Sequence, residues 1–84
     1  MPFELVYTRR AREDIERLDR VVQKRLAKKL IEFSKNPLSY AKPIHDSALG
    51  SYRFRVGDYR VVFDIDGNKV VILRIGHRRE IYRS

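Results

Sequence analysis

The stretch Tyr52-Arg53-Phe54-Arg55-Val56-Gly57-Asp58-Tyr59-Arg60-Val61-Val62-Phe63 constrains the fold more than any other part of the chain. Two alternating runs flank Gly57-Asp58, and glycine as the first residue of a two-residue loop suits a type II′ hairpin turn. That loop sets the register. Val56 faces Tyr59, Arg55 faces Arg60, Phe54 faces Val61, Arg53 faces Val62 and Tyr52 faces Phe63. One face of the hairpin is then Tyr52, Phe54, Val56, Tyr59, Val61 and Phe63, which must be covered, while the other carries Arg53, Arg55 and Arg60. Like charges directly opposite are unfavourable by up to roughly 1 kcal/mol, a local cost that an anion would relieve.

A third strand, KVVILRI, follows Asp66-Gly67-Asn68. The length of this second loop decides where Arg74 points. A two-residue loop turns Arg74 into the covered face. A three-residue loop, Asp66 to Asn68, pairs Ile65 with Lys69 and Arg60 with Arg74, and it puts Val71, Leu73 and Ile75 in the core. It also gathers Arg53, Arg55, Arg60 and Arg74 on one open face, and it is the arrangement preferred here. Antiparallel sheets often leave one polar face in water, so the arginines alone do not establish a site.

Upstream, Phe3 to Tyr7 alternates as a short strand. Thr8 suits a helix N-cap, and Ala11, Ile15 and Leu18 draw one apolar stripe on an otherwise charged helix. Asp19 suits a second N-cap. Beyond it Val22, Leu26, Leu30 and Phe33 share one helix face, and Lys24, Arg25, Lys28 and Lys29 the other, until Asn36-Pro37 ends the helix. The two stripes must share a surface as an αα-hairpin. Residues 37–50 hold Pro37, Pro43 and no periodicity and read as a loop; His45 within it reads as structural or solvent-exposed. The order β-α-α-β-β-β predicts an α+β fold, a small antiparallel sheet joined by the first strand, with the αα-hairpin packed on one face.

Eighty-four residues leave room for a single domain spanning 1–84, and with no cysteine its stability must come from one core, a partner or both. His45 and His77 stand far apart with no cysteine nearby, so no zinc spacing exists, and neither a metal nor another cofactor is expected. No apolar run could span a membrane and the N-terminus lacks the apolar stretch of a signal peptide, so a cytoplasmic chain with no membrane partner is expected. Nineteen Lys+Arg against eleven Asp+Glu, a net charge of +8, point to a polyanionic partner.

The last strand runs into Gly76-His77-Arg78-Arg79-Glu80-Ile81-Tyr82-Arg83. Together with GDYRVVF at 57–63, the Tyr52-Arg53-Phe54-Arg55 alternation, the Tyr7-Thr8 that ends the first strand and the charged helix pair, this tail resembles the RelE side of the RelE/ParE toxin superfamily, small toxins of type II toxin–antitoxin pairs. The resemblance covers essentially the whole chain. It implies cleavage of mRNA on the ribosome, and it implies site residues by position. The basic pair becomes Arg53 and Arg55, where RelE uses lysines; the arginine of the Gly-x-Tyr-Arg strand becomes Arg60; the tail arginine becomes Arg78 and the closing tyrosine Tyr82. The tail is shorter than in RelE between Arg78 and Tyr82. His77 replaces a basic residue and is similar to a histidine that some relatives use near their C-terminus. A cognate antitoxin is also implied, wrapping the toxin with an extended acidic or amphipathic segment.

Metal-independent RNA cleavage requires removing a proton from a 2′-OH, stabilising a pentavalent phosphorus and protonating the departing 5′-oxygen. Arginine forks bind phosphate oxygens and never lose their charge, which suits Arg60 and Arg78 to the second task. His77 is the residue type whose ordinary pKa lies nearest neutrality and is the first candidate for the base; Tyr82 is the second, and it also fits stacking on an RNA base. Arg53, Arg55 and Arg74 are candidate phosphate contacts. Lys24 and Lys28, on the basic helix face, suit sequence-independent attachment to ribosomal RNA. Two other functions compete: a ParE-like inhibitor of DNA gyrase with the same fold and no RNA cleavage, and a non-catalytic nucleic-acid-binding domain.

Overall fold

The computed structural model describes residues 3–44 and 49–81. Eight elements follow in order: β1 (Glu4–Tyr7), α1 (Arg9–Glu16), α2 (Arg20–Phe33), α3 (Pro37–Tyr40), β2 (Lys42–Pro43), β3 (Tyr52–Val56), β4 (Tyr59–Asp66) and β5 (Lys69–His77). The strands form one sheet in the order β1-β5-β4-β3-β2. The α+β class holds. The sheet is mixed rather than wholly antiparallel, because β1 lies parallel to β5, pairing Glu4 with Lys69 through Tyr7 with Ile72. The helix pair between β1 and the meander supplies the long crossover that a parallel neighbour needs. The segment read as a loop contains α3 and the two-residue edge strand β2, so Pro37 ends one helix and starts another.

Thr8 caps α1 as expected, its hydroxyl accepting from the Ala11 N–H at 3.1 Å. Asp19 occupies the N-cap position of α2 without a side-chain hydrogen bond. The elbow is secured instead by Gln23, whose Nε2 donates to the carbonyls of Ile15 (2.7 Å) and Leu18 (3.2 Å) at the end of α1. Both apolar stripes face the sheet: Ala11, Leu26, Leu30 and Phe33 are buried against Phe54, Val56, Val61 and Phe63, with Ile15, Leu18 and Val22 packed around them.

The β3–β4 register is the expected one, from Tyr52↔Phe63 to Val56↔Tyr59. Gly57 has φ +59° and among the described residues, Asp58 included, no non-glycine residue has positive φ, so Asp58 cannot complete a type I′ turn and the type II′ form is the one consistent with the backbone. The β4–β5 register differs from the expected one. Its loop is the two residues Gly67-Asn68, with Asp66 paired to Lys69, and the register shifts between Val62 and Phe63. Asp66, expected in the turn, thus belongs to the strand, and the extra residue at the shift is Leu73 of β5, between Ile72 and Arg74. Gly67 at φ +62° repeats the Gly57 solution, which matches strand twist better than a wider loop. Val70, Ile72 and Ile75 are therefore in the core cluster, not Val71 and Leu73. Arg60 pairs with Gly76 and Arg74 with Val62, so the expected Arg60–Arg74 pair does not form.

Candidate functional site

The open face of the sheet is divided by chemistry. Near β5, Val62 is fully buried, and Gly50 passes so close that a Cβ there would lie 2.7 Å from Val62 Cγ1 and 2.9 Å from Leu73 Cδ1. Near β2 and β3 the face is basic. Lys42 pairs with Arg53, and Arg55 pairs with Arg60. Lys42, Arg53, Arg55 and Arg60 line one pocket of about 130 Å³, with Tyr40 as its remaining wall. Among the described residues that lining places four basic side chains together, a concentration of positive charge that favours an anion. Tyr40 and Lys42 escaped sequence reasoning because they fall in the aperiodic stretch after Pro37; the strand that brings Lys42 beside Arg53 is only two residues long.

Arg60 is 7% exposed, and its Nη1 donates to the carbonyls of Gly57 (2.9 Å) and Tyr59 (3.1 Å), which fixes the guanidinium at the β3–β4 turn. Arg78 meets the same turn from the tail. Its backbone N–H donates to Asp58 O at 2.7 Å, and its Nε lies 3.8 Å from Asp58 Oδ1. Arg25 reaches the turn from α2: a Cβ on Gly57 would stand 3.0 Å from its Nη2. The hairpin turn thus gathers Arg25 from α2, Arg60 from β4 and Arg78 from the tail. Gly76 leaves a gap beside Arg60, and the tail folds into it, with Ile81 buried and its Cδ1 3.3 Å from where a Gly76 Cβ would be.

The other expected site residues lie elsewhere. Arg74 is held by a carboxylate, its Nε 2.8 Å from Asp14 Oδ2. That same oxygen accepts from the Ile75 N–H at 2.9 Å, because β1 stops pairing at Ile72 and Asp14 takes over the open edge of β5. His77 sits opposite Tyr59, which packs on the helix-side core, and the two rings meet edge to face at 5.8 Å. Its Nδ1 accepts from the Arg79 N–H at 3.2 Å. It lines a separate pocket of about 370 Å³ with Asp14, Arg17 and Glu80, away from the basic one. Lys24 and Lys28 are exposed on α2, which covers the opposite face of the sheet from Arg53 and Arg55. Tyr82 and His45 lie outside the described residues. Among the described residues no helix is long and apolar enough to cross a membrane.

Comparison with known proteins agrees with this architecture. The family model described as the ParE toxin of the type II toxin–antitoxin system parDE matches residues 5–82. The chain is 36% identical to Toxin RelG of Mycobacterium tuberculosis over 99% of each chain, and 33% identical to Toxin RelE of the same organism over 98% of this chain and 88% of that one. Among solved structures, it superposes on a chain of the toxin–antitoxin complex RelBE2 from Mycobacterium tuberculosis with TM-score 0.84 and 31% identity, covering 93% of this chain and all of the other. The Escherichia coli toxin RelE shares the fold at TM-score 0.76 and 22% identity over 98% of this chain and 92% of that one. A helix pair on a meander whose open face carries the basic pocket, matched along nearly its whole length by such toxins, makes this chain a type II toxin–antitoxin toxin of the RelE/ParE superfamily.

Proposed function

We propose that the chain is a RelE-type toxin that cleaves mRNA on the ribosome in the cytoplasm, by attack of a 2′-OH on the adjacent phosphate and without a metal ion. The observation that carries this reading is the convergence of Arg60 and Arg78 on the Gly57-Asp58 turn, beside the pocket of Lys42, Arg53 and Arg55. Arg60 is anchored by backbone carbonyls and therefore needs little reorganisation as negative charge grows on a phosphorane, the property that makes preorganised donors effective. Arg78, half exposed on the tail, closes on the same phosphate or on the departing oxygen. Arg53 and Arg55 hold the flanking backbone. His77 points to the helix side, so the proposed base is Tyr82, which follows Ile81 in the chain. The partner proposed is a cognate antitoxin; the RelBE2 relative was solved as a toxin–antitoxin complex.

The family model's own description, a ParE toxin, keeps gyrase inhibition as the second reading. Translation in a purified ribosome system separates them. The expected result is cleavage of ribosome-bound mRNA that falls by about 100-fold or more in Arg60→Ala and in Arg78→Ala, the scale of losing a charge-stabilising donor. Intact mRNA with arrested gyrase supercoiling would establish the second reading. Neither effect, with RNA binding retained, would leave a non-catalytic binding domain.

A further inference from the structure

Tyr40 lies at the outer end of a continuous file of aromatic rings. Its ring stacks on Phe33 at 4.6 Å and 28°, Phe33 meets Phe54 at 4.8 Å, Phe54 stacks on Phe63 at 4.1 Å, and Phe63 on Tyr52 at 5.6 Å. Phe54 and Phe63 are fully buried, whereas Tyr40 is 47% exposed. The file therefore starts in the core and ends in solvent. Phe33 stacks on one side of the Tyr40 ring, and Tyr40 is also part of the wall of the basic pocket. A four-residue helix that begins at the buried Pro37 fixes the backbone beneath it.

We infer that Tyr40 is a stacking platform for one nucleobase of a single-stranded RNA, whose phosphate is held in the adjoining pocket by Lys42, Arg53, Arg55 and Arg60. This rests on the RNA-cleaving reading for the choice of nucleic acid and adds a base-contacting subsite to it. The basic side chains of the pocket suit a phosphate group, and Tyr40 in the same wall is placed to meet the base attached to it. An exposed ring already backed by another aromatic offers a flat face at little cost in side-chain entropy, and every base has a π-face to set on it. An acidic protein segment would satisfy the cations but make no use of the ring plane. Stacking is tolerant of sequence, so the subsite positions the RNA and favours purines through their larger face.

The test uses the full chain and a fluorescent 2′-O-methyl hexanucleotide, which lacks the 2′-OH needed for cleavage and isolates binding. Tyr40→Leu keeps an apolar side chain against Phe33 and removes the platform; Tyr40→Phe keeps the platform. Tyr40→Leu is expected to weaken binding by roughly 5- to 100-fold, the range for one stacked base, and Tyr40→Phe by less than about twofold. In a series of hexanucleotides each carrying one abasic position, one member should bind the unaltered chain as weakly as Tyr40→Leu binds the intact RNA, with no additional weakening when the two changes are combined. Equal binding by Tyr40→Leu and the unaltered chain would overturn the inference. So would equal weakening in Tyr40→Leu and Tyr40→Phe, or an oligoglutamate peptide that binds with the same dependence on the Tyr40 ring. A chain that shows the Tyr40 pattern yet leaves ribosomal mRNA intact would sink the cleavage proposal and keep the subsite. A chain that cleaves ribosomal mRNA while its hexanucleotide binding ignores Tyr40→Leu would do the reverse.

Discussion

Asp14 shows how much one side chain can decide. It is 7% exposed, and one of its oxygens serves both Arg74 Nε and the Ile75 N–H. It substitutes for the strand that β1 is too short to provide, and it withdraws Arg74 from the open face. Asp14→Ala would strand the Ile75 donor in a buried position and is expected to cost about 2–3 kcal/mol of unfolding free energy; Asp14→Asn, which retains an acceptor, should cost about half as much, both read from urea midpoints. The sequence did carry a signal: Asp14 falls at i+3 in the stripe of Ala11, Ile15 and Leu18, a carboxylate on the buried face. Tyr7 is a second residue with a measurable consequence. Burial raises its phenol above the ordinary 10.0. The native state therefore holds that proton more tightly than the unfolded chain, and stability present below about pH 10 is lost as pH climbs through the native value. Tyr7→Phe should lose stability less steeply with rising pH in that alkaline range.

Two glycine turns of the same type join the meander, and they differ in what surrounds them. Both glycines have positive φ, at +59° for Gly57 and +62° for Gly67. A Cβ at Gly67 meets nothing within 4 Å, whereas one at Gly57 meets the Arg25 guanidinium. Gly67→Ala should thus cost only the backbone strain, about 1–2 kcal/mol. Gly57→Ala should cost at least as much in stability and also weaken RNA binding, because Arg25 is displaced and the turn anchors Arg60 and Arg78. Urea melts paired with oligonucleotide titrations distinguish the two. The first hairpin was legible because its turn and both alternating faces lie within twelve contiguous residues. The second was not, because a bulge at Val62/Phe63 changes the parity of β5 halfway along, and a linear pattern of apolar residues cannot show where parity changes.

At the scale of the whole molecule, with a net charge of +8, basic side chains stand on both sides of the sheet. The sheet face holds Lys42, Arg53, Arg55 and Arg60 around one pocket, and α2 presents Lys24 and Lys28 to solvent beyond the core. A short single strand seated on the sheet face cannot touch both. Arg53→Gln with Arg55→Gln should therefore flatten the salt dependence of hexanucleotide binding by about 0.7 for each phosphate that is no longer neutralised, and Lys24→Gln with Lys28→Gln should leave that slope unchanged. Equal slopes in both pairs would mean that the oligonucleotide is attracted by net charge and not seated in the pocket.

The order of residues along the chain was enough for the α+β class, the helix pair and its buried stripes, the first hairpin with its facing arginines, and the family resemblance. Those features depend on near neighbours in sequence, where period and turn chemistry act directly. Folding in three dimensions was needed to bring β1 in parallel, to give Arg74 to Asp14, to turn His77 toward the helices, and to complete the basic pocket with Tyr40 and Lys42. Each of these rests on a contact between segments distant in sequence, or on a bulge whose position is set by how the strands pack, and neither leaves a period in the chain for pattern reasoning to find.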